Sequence, residues 1–306
     1  MFRLVSWHRW QNAVLCAVMA VLVAIGIAET AVSRRAATLA ATQAKNEGTV
    51  FLPIIMYHAV MDDPSRQGQY VISPTQFRDD LQVIRANGYT TVTVADLIAY
   101  VDHGTPLPDK PIMLTFDDGY YNNYLYADPL LERYGMKAVL SPVCKWTQLY
   151  SDTPGQSGHV VYSHVTWEEL RAMEQSGRWE IQNHSYDMHY CEAGKRKGTL
   201  RRSAETAEEY EAALKADLTT AQQQLTTLAG VTPTAFTYPY GAMCDEALPI
   251  IKALGFRATL TCESRVNRIT RDAECLYGLG RYLRPADSAS DAYFDRIFSA
   301  VEKAKK

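Results

Sequence analysis

The chain has 306 residues, of which 47% are hydrophobic and 21% are charged, and its formal net charge is −3. This length and composition suit one large globular domain of roughly 250 residues with a sizeable core. The near balance of 31 basic and 34 acidic residues argues against a basic nucleic-acid-binding protein, so no nucleic-acid partner is predicted.

An apolar segment close to the N-terminus predicts export. Residues 13–28 are uncharged and almost wholly apolar, with Arg9 before them and Arg34 after them. This length is short for a membrane-spanning helix and long for the core of a signal peptide. We predict a signal-anchor or signal peptide at 1–32, a linker at 33–49 and the main domain at 50–306. The domain is expected to be anchored to the cell membrane on its outer side, or to be secreted.

The six cysteines indicate neither a cysteine zinc site nor a fold built on disulfides. The sequence has no Cys-x-x-Cys pair, the spacing typical of cysteine zinc sites. Five cysteines lie outside the apolar segment, so at least one of them is unpaired. Cys262 and Cys275 flank a polar loop and are candidates for a disulfide if the domain is exported.

From residue 54 onward, short apolar strands alternate with amphipathic helices. The predicted strands are Ile54–Tyr57, Thr90–Val92, Ile112–Phe116, Ala138–Leu140, Glu180–Gln182, Ala235–Thr237 and Ala258–Thr261. The predicted helices are a segment from Ser73-Pro74 to Gly88, then Leu125–Tyr134, Trp167–Ser176, Ala204–Ala229, Asp245–Leu254 and Ser290–Lys303. This alternation predicts an α/β fold with a mainly parallel sheet. Seven or eight such units favour a closed or nearly closed barrel, and an open doubly wound sheet is the alternative.

Unusual polar residues follow four of the predicted strands. They are His58, then Asp117 and Asp118, then His184 and His189, and finally the turn Tyr238–Gly241. The carboxyl ends of the strands of a parallel barrel meet at one rim, where catalytic residues converge. We therefore predict a single functional site at that rim.

These residue types suit metal-assisted hydrolysis. One aspartate with two histidines is a recognised ligand set for a catalytic zinc or a similar divalent ion. A second carboxylate beside the ligand suits a general base, and a histidine across the site suits a general acid. The backbone amides of a tight Pro-Tyr-Gly turn suit the binding of an oxyanion.

Three ordered motifs resemble those of the polysaccharide deacetylases, which form carbohydrate esterase family four. Residues 115–119 read T-F-D-D-G, His184-Ser185 with His189 matches the second motif, and residues 239–241 read P-Y-G. The resemblance spans about residues 50–285. It implies a distorted (β/α) barrel of about seven strands with a divalent metal, usually zinc, at the carboxyl rim. It also implies removal of acetyl groups from cell-wall or extracellular polysaccharides.

The resemblance also assigns roles to single residues. Asp117 corresponds to the catalytic base, and Tyr240 to the residue whose backbone N–H faces the oxyanion. Pro239 and Tyr240 are expected to contact the substrate. The expected metal ligands are Asp118, His184 and His189.

Two departures from the family pattern concern the base and the acid. Thr237 occupies the position of the arginine that usually orients the base, so Arg281 or Arg284 is a candidate substitute. The family's last histidine motif is absent, because no histidine follows His189. We predict that His58 acts as the acid instead. This arrangement resembles the poly-N-acetylglucosamine deacetylase branch.

The predicted function is the hydrolysis of a carbon–nitrogen (non-peptide) bond, namely the N-acetyl group of N-acetylhexosamine units in a polysaccharide. An O-acetyl esterase acting on xylan-like glycans is an alternative, because the same site would cleave esters. A non-catalytic glycan-binding relative is a third hypothesis, motivated by the missing arginine and histidine. The intact pair Asp117 and Asp118 argues against it.

Overall fold

Parallel strands form the centre of the fold. A computed structural model describes residues 14, 19, 48–192 and 194–306 of the chain. Residues 50–306 form one compact unit. Apart from the few positions just given, the N-terminal segment predicted at 1–32 and the linker predicted at 33–49 lie outside the described residues. In the part of the chain that is described, no helix has both the length and the apolar character needed to cross a membrane.

The central sheet has six strands, and every pairing in it is parallel. Its strands are β2 (Ile54–Tyr57), β5 (Thr90–Thr91), β6 (Pro111–Asp118), β7 (Ala138–Pro142), β8 (Trp179–Ile181) and β12 (Tyr282–Leu283). Their order is β12-β2-β6-β7-β8, and β5 pairs with the start of β6. The fold is therefore α/β with a parallel central sheet, as the alternating pattern predicts.

Three further strand pairs flank this sheet. The parallel pairs are β9 (Ala235–Thr237) with β10 (Ala258–Leu260) and β3 (Ala59–Val60) with β4 (Val71–Ile72), and the antiparallel pair is β1 (Val50–Leu52) with β11 (Asn267–Ile269). Two single bridges connect β9 and β10 to their surroundings. One joins Asn183, just after β8, to Phe236, and the other joins Leu260 to Leu279, just before β12.

Eight α-helices are described in residues 50–306: α1 (Pro74–Ala86), α2 (Val94–His103), α3 (Asp128–Tyr134), α4 (Cys144–Asp152), α5 (Trp167–Gln175), α6 (Ala207–Gln224), α7 (Ala247–Ala253) and α8 (Ser290–Ala304). The start predicted at Ser73-Pro74 is confirmed, since the Ser73 hydroxyl accepts the N–H of Gln76. The helix predicted over 204–229 begins at residue 207 and ends in a π-helical turn, Leu225–Ala229.

The strand that carries the two acids, β6, lies in the core. All eight residues of β6 are buried, which is typical of a parallel strand covered on both faces. On one face Phe116 stacks on Tyr57 with ring centroids 5.0 Å apart and meets Trp179 edge-on. Asp117 and Asp118 continue this strand with only 2% and 5% of their surface exposed. Buried carboxylates require compensating partners, so the end of β6 must carry specific polar contacts.

The disulfide considered between Cys262 and Cys275 is not formed, because both residues are free thiols. The Cys262 thiol lies 3.8 Å from the Met56 sulfur, whereas the Cys275 thiol faces the carbonyl of Thr270. The two cysteines thus belong to different local environments. The sequence pattern showed only that they flank a loop.

Candidate active site

Strained backbone marks the three motifs. Among the described residues other than glycine, φ is positive at Asp118 (68°), Ser185 (80°) and Tyr240 (60°). Each belongs to a different motif. Left-handed conformations of such residues cost about 1–3 kcal/mol each and persist only where the surroundings hold them. Their occurrence in these motifs is consistent with a single functional site.

Asp118 and the two motif histidines converge on one point. Asp118 Oδ1 lies 3.1 Å from His189 Nε2 and 3.5 Å from His184 Nε2. One ligand atom from each residue lies within 4.8 Å of the others. Asp118 Oδ1 is buried and accepts no hydrogen bond from the described residues, although it lies so close to two ring nitrogens. A divalent cation between these three atoms would satisfy the oxygen, so the residues fit a metal.

A hydrogen bond orients the first histidine. His184 Nδ1 lies 2.8 Å from the carbonyl oxygen of Thr237, which can only accept, so Nδ1 carries the proton. Nε2 is therefore the nitrogen that faces Asp118. Metal-binding histidines usually have such a partner on the second ring nitrogen. Thr237 thus supports the site through its backbone, at the position where the family usually has an arginine.

Opposite charges set the protonation of this cluster. Burial raises the pKa of Asp118, but the ring nitrogens of His184 and His189 beside it, together with the charges of His189 and His58, outweigh burial and hold that pKa well below its usual range. Burial lowers the pKa of His189, whereas the carboxylates of Asp118 and Asp117 together raise it above its usual value. Asp118 is thus held as an anion, the form that binds a cation.

Arg281 holds the second acid of the pair. Its Nη1 and Nη2 atoms donate to Oδ1 and Oδ2 of Asp117 over 2.7 and 2.8 Å, and its Nε donates to the carbonyl of Thr261. Both side chains of this ion pair are buried. Burial raises the pKa of Asp117, but the charge and hydrogen bonds of Arg281, together with the charges of His184 and His58, outweigh this effect and leave the pKa below its usual value. Asp117 is therefore held ionised in a fixed orientation.

His58 occupies another wall of the same cleft. Its ring meets Tyr70 edge-on with centroids 4.8 Å apart, and its buried Nδ1 has no hydrogen-bond partner among the described residues. Burial lowers the pKa of His58, and the charges of Asp117 and Asp118 oppose that effect. The imidazole is held in place by packing and keeps one nitrogen available.

The Pro-Tyr-Gly motif forms a 3₁₀ turn beside His189. The Tyr240 ring is 41% exposed and packs on His189 with centroids 4.2 Å apart. The Lys197 ammonium lies 5.5 Å from the centre of the Tyr240 ring. A cleft of about 1040 Å³ is lined, among others, by His58, Asp117, Asp118, His184, His189, Lys197 and Tyr240. This volume lies at the upper end of the range that is typical of ligand pockets.

The structure thus places the predicted site residues on one cleft, with three exceptions. Pro239 is buried within the turn, Arg281 is fully buried against Asp117, and Arg284 pairs with Asp80 instead of Asp117. Sequence reasoning did not single out Tyr70, whose ring packs on His58, or Asp217, whose carboxylate accepts the N–H groups of Tyr186 and Asp187. No local pattern marks Tyr70, whereas Asp217 carried a signal, since it is an acid within the apolar stripe of its helix.

Comparison with known proteins agrees with this geometry. The sequence model of the family described as polysaccharide deacetylase matches residues 104–259. A poly-beta-1,6-N-acetyl-D-glucosamine N-deacetylase of Escherichia coli K12 is 27% identical over 265 residues, which cover 82% of this chain and 39% of that protein. A Staphylococcus aureus MRSA252 protein of the same name is 24% identical over 64% of this chain and 62% of its own length. The chain spans about two fifths of the length of the E. coli relative.

Solved structures share the fold. A de-N-acetylase from Aggregatibacter actinomycetemcomitans superposes with a TM-score of 0.68 at 27% identity, over 80% of this chain and 99% of that one. IcaB from Ammonifex degensii has a TM-score of 0.64 at 24% identity, over 79% and 94% of the two chains, and shows likeness of fold alone. Since the family's sequence model covers just over half of the residues, including all three motifs in full, the chain belongs to the polysaccharide deacetylase family.

Proposed function

We propose that this protein is a metal-dependent hydrolase that removes N-acetyl groups from N-acetylhexosamine units of a cell-wall or extracellular polysaccharide. The observation that carries the proposal is the convergence of Asp118, His184 and His189 beside the ion pair of Asp117 and Arg281. Relatives named poly-beta-1,6-N-acetyl-D-glucosamine N-deacetylases support the substrate class.

Asp118, His184 and His189 would hold the metal. Two nitrogen donors and one carboxylate oxygen with open positions suit Zn²⁺, which we propose as the native ion. When bound, such an ion polarises the acetyl carbonyl and lowers the pKa of water. Asp118 supplies one negative charge to the site. The hydrogen bond from His184 Nδ1 to the Thr237 carbonyl keeps the Nε2 atom of the ring directed toward the site.

Asp117 acts as the general base. It accepts a proton from the water that attacks the acetyl carbonyl carbon. Arg281 leaves the carboxylate ionised and fixes its plane, so that it is ready to accept that proton. Because both oxygens of Asp117 are bound to a guanidinium, the family's orienting arginine is replaced by one from a different part of the chain.

His58 and Tyr240 complete the reaction. His58 donates a proton to the departing amine, and burial, which lowers its pKa, favours the release of that proton. The backbone N–H of Tyr240 donates to the oxyanion that forms on the carbonyl oxygen. Pro239 shapes the turn that presents Tyr240, and the exposed Tyr240 ring contacts the sugar.

We also propose that the strands close into a distorted (β/α) barrel of about seven strands with the metal at its carboxyl rim. The bridges from Asn183 to Phe236 and from Leu260 to Leu279 support this, since they lead from β8 through β9 and β10 back toward β12. Asp117 and Asp118 end β6, which agrees with a site at the carboxyl ends of the strands.

The organisation of the whole chain is proposed from its sequence. Residues 1–32 serve as a signal-anchor or signal peptide, residues 33–49 as a linker, and residues 50–306 as the catalytic domain. The domain then acts outside the cell, either anchored to the membrane or secreted. The names of the relatives support a polysaccharide substrate, and such a substrate outside the cell requires this location.

The test is acetate release by the full chain loaded with Zn²⁺, measured on N-acetylglucosamine oligomers and on acetylated xylan. We expect release from the oligomers. Asp117→Asn should lower turnover at least about 100-fold while Zn²⁺ stays bound. Asp118→Asn should lose both turnover and Zn²⁺ binding. Asp102→Asn, on an exposed ion pair with Arg257, is the control and should keep the wild-type rate.

Three results would contradict the proposal. Acetate release from xylan alone would identify an O-acetyl esterase. Zn²⁺ binding without acetate release from either substrate would indicate a non-catalytic glycan-binding relative. A wild-type rate in Asp117→Asn would show that Asp117 is not the base.

A further inference from the structure

The segment between the two metal-binding histidines has no regular secondary structure. His184 and His189 are five positions apart, and residues 184–188 belong to neither a helix nor a strand. Ser185, at the start of this segment, has φ of 80°, which a side-chain-bearing residue rarely adopts. Helical or strand hydrogen bonds therefore do not set the distance between the two imidazoles.

Side-chain oxygens hold the amides of this segment, whereas its carbonyls at Ser185 and Tyr186 accept the N–H groups of Cys144 and Lys145 at the start of α4. Each of the four amides of residues 185–188 donates to a side-chain oxygen. The acceptors are Asn183 Oδ1 for Ser185 at 2.7 Å, Asp217 Oδ1 for Tyr186 at 2.8 Å, Asp217 Oδ2 for Asp187 at 2.8 Å and Ser185 Oγ for Met188 at 3.2 Å. Asn183 and Ser185 are local partners, whereas Asp217 comes from another element.

Asp217 connects the segment to a helix that is fixed in the core. It lies in α6 between Leu214 and Leu218, both fully buried, with Tyr210 one turn earlier. Its carboxylate spans two consecutive amides, so it restrains both the position and the orientation of the peptide plane between them. A carboxylate that accepts backbone N–H groups makes charge-assisted hydrogen bonds, which are stronger than neutral ones.

We propose that Asp217 is a positioning residue that sets the separation of the His184 and His189 imidazoles and thereby the affinity of the site for its metal. The inference rests on the proposed metal site. Asp217 does not touch the ion or the substrate, and acts through the backbone of Tyr186 and Asp187. Partners that orient metal ligands typically contribute 10- to 100-fold to metal affinity.

The test replaces one oxygen of Asp217 by an amide group. In Asp217→Asn, one oxygen still accepts an N–H, but the new NH₂ group faces the other N–H and repels it. We expect Zn²⁺ affinity of the full chain, measured by competition with a chelator, to fall roughly 10- to 100-fold. The visible absorption spectrum of the Co²⁺-loaded protein should also change, because the ligand geometry changes. Glu211→Gln, on the exposed side of the same helix, should alter neither readout.

Wild-type Zn²⁺ affinity together with an unchanged Co²⁺ spectrum in Asp217→Asn would overturn the inference, even if the metal-free protein became less stable. If this variant does not fold, Asp217→Glu is measured in its place. It keeps the charge and displaces the carboxylate by one methylene, and the same two readouts decide. Neither readout involves turnover, so a wild-type protein that binds Zn²⁺ but releases no acetate would contradict the proposed reaction and leave the role of Asp217 standing.

Discussion

The charge of Asp117 is governed by Arg281. The two side chains are 164 positions apart in the chain and meet in a buried, bidentate ion pair. Burial by itself raises the pKa of a carboxyl group, and the guanidinium, together with the charges of His184 and His58, reverses this effect for Asp117. The largest of these lowering contributions comes from a residue far away in the chain.

Removal of this guanidinium should shift the pH dependence of the reaction. In Arg281→Met the pKa of Asp117 rises, so at any given pH a smaller fraction of Asp117 is ionised. The acidic limb of the pH profile of kcat/KM should therefore move to higher pH. Because an uncompensated buried carboxylate remains, the free energy of unfolding should fall by about 3–5 kcal/mol.

Arg281→Lys is the matched control for that experiment. It keeps the positive charge and loses the bidentate geometry, so its acidic limb should lie closer to that of the wild type. If the acidic limb of the pH profile of Arg281→Met coincides with that of the wild type, Arg281 does not control the ionisation of the base.

At the scale of elements, a second buried ion pair joins the two ends of the domain. Arg284, directly after β12, donates to Asp80 of α1 over 2.8 Å, and both side chains are fully buried. Tyr57 of β2 donates to the same carboxylate over 3.0 Å. This network fixes β12, and with it Arg281 three positions earlier, against the first strand of the central sheet.

Breaking this pair should lower the stability of the domain. Asp80→Leu or Arg284→Met alone should lower the free energy of unfolding by about 3–5 kcal/mol, because each leaves an unpaired buried charge. In the double variant, the free energy of unfolding should fall by much less than the sum of the losses in the two single variants. Urea unfolding of the four proteins measures this coupling, and additive losses would show that the two side chains do not interact.

At the scale of the whole molecule, metal binding should stabilise the folded state. The ligands come from the end of β6 and from the segment after β8, so they are brought together only in the folded protein. A ligand that binds only the folded state at 100 times its Kd stabilises that state by about 2.7 kcal/mol. For a domain of this size, Tm should rise by roughly 5–10 °C.

Differential scanning calorimetry with Zn²⁺, and then with excess chelator, tests this expectation. The rise in Tm should disappear with chelator and be absent in Asp118→Asn. Equal Tm values for the wild type with and without saturating Zn²⁺ would show that the three residues do not bind the ion.

Much of this architecture follows from local pattern. The apolar runs of β2 and β6 mark buried parallel strands; His58 directly follows the first, and Asp117 and Asp118 end the second. A strand buried on both faces must be apolar throughout, so the acids at the end of β6 are conspicuous in the sequence. Strands of two residues, such as β3, β4 and β12, are too short to show a periodicity and were missed.

The sequence by itself determined the class of the fold, the strand ends at which the polar groups lie and the candidate ligand set. These depend on neighbours along the chain. Only the tertiary structure decided which of Arg281 and Arg284 meets Asp117, and that Asp217 holds the segment between the histidines. Those contacts depend on the parallel pairing of β12 with β2 and on the packing of α6, in which residues far apart in the chain become neighbours.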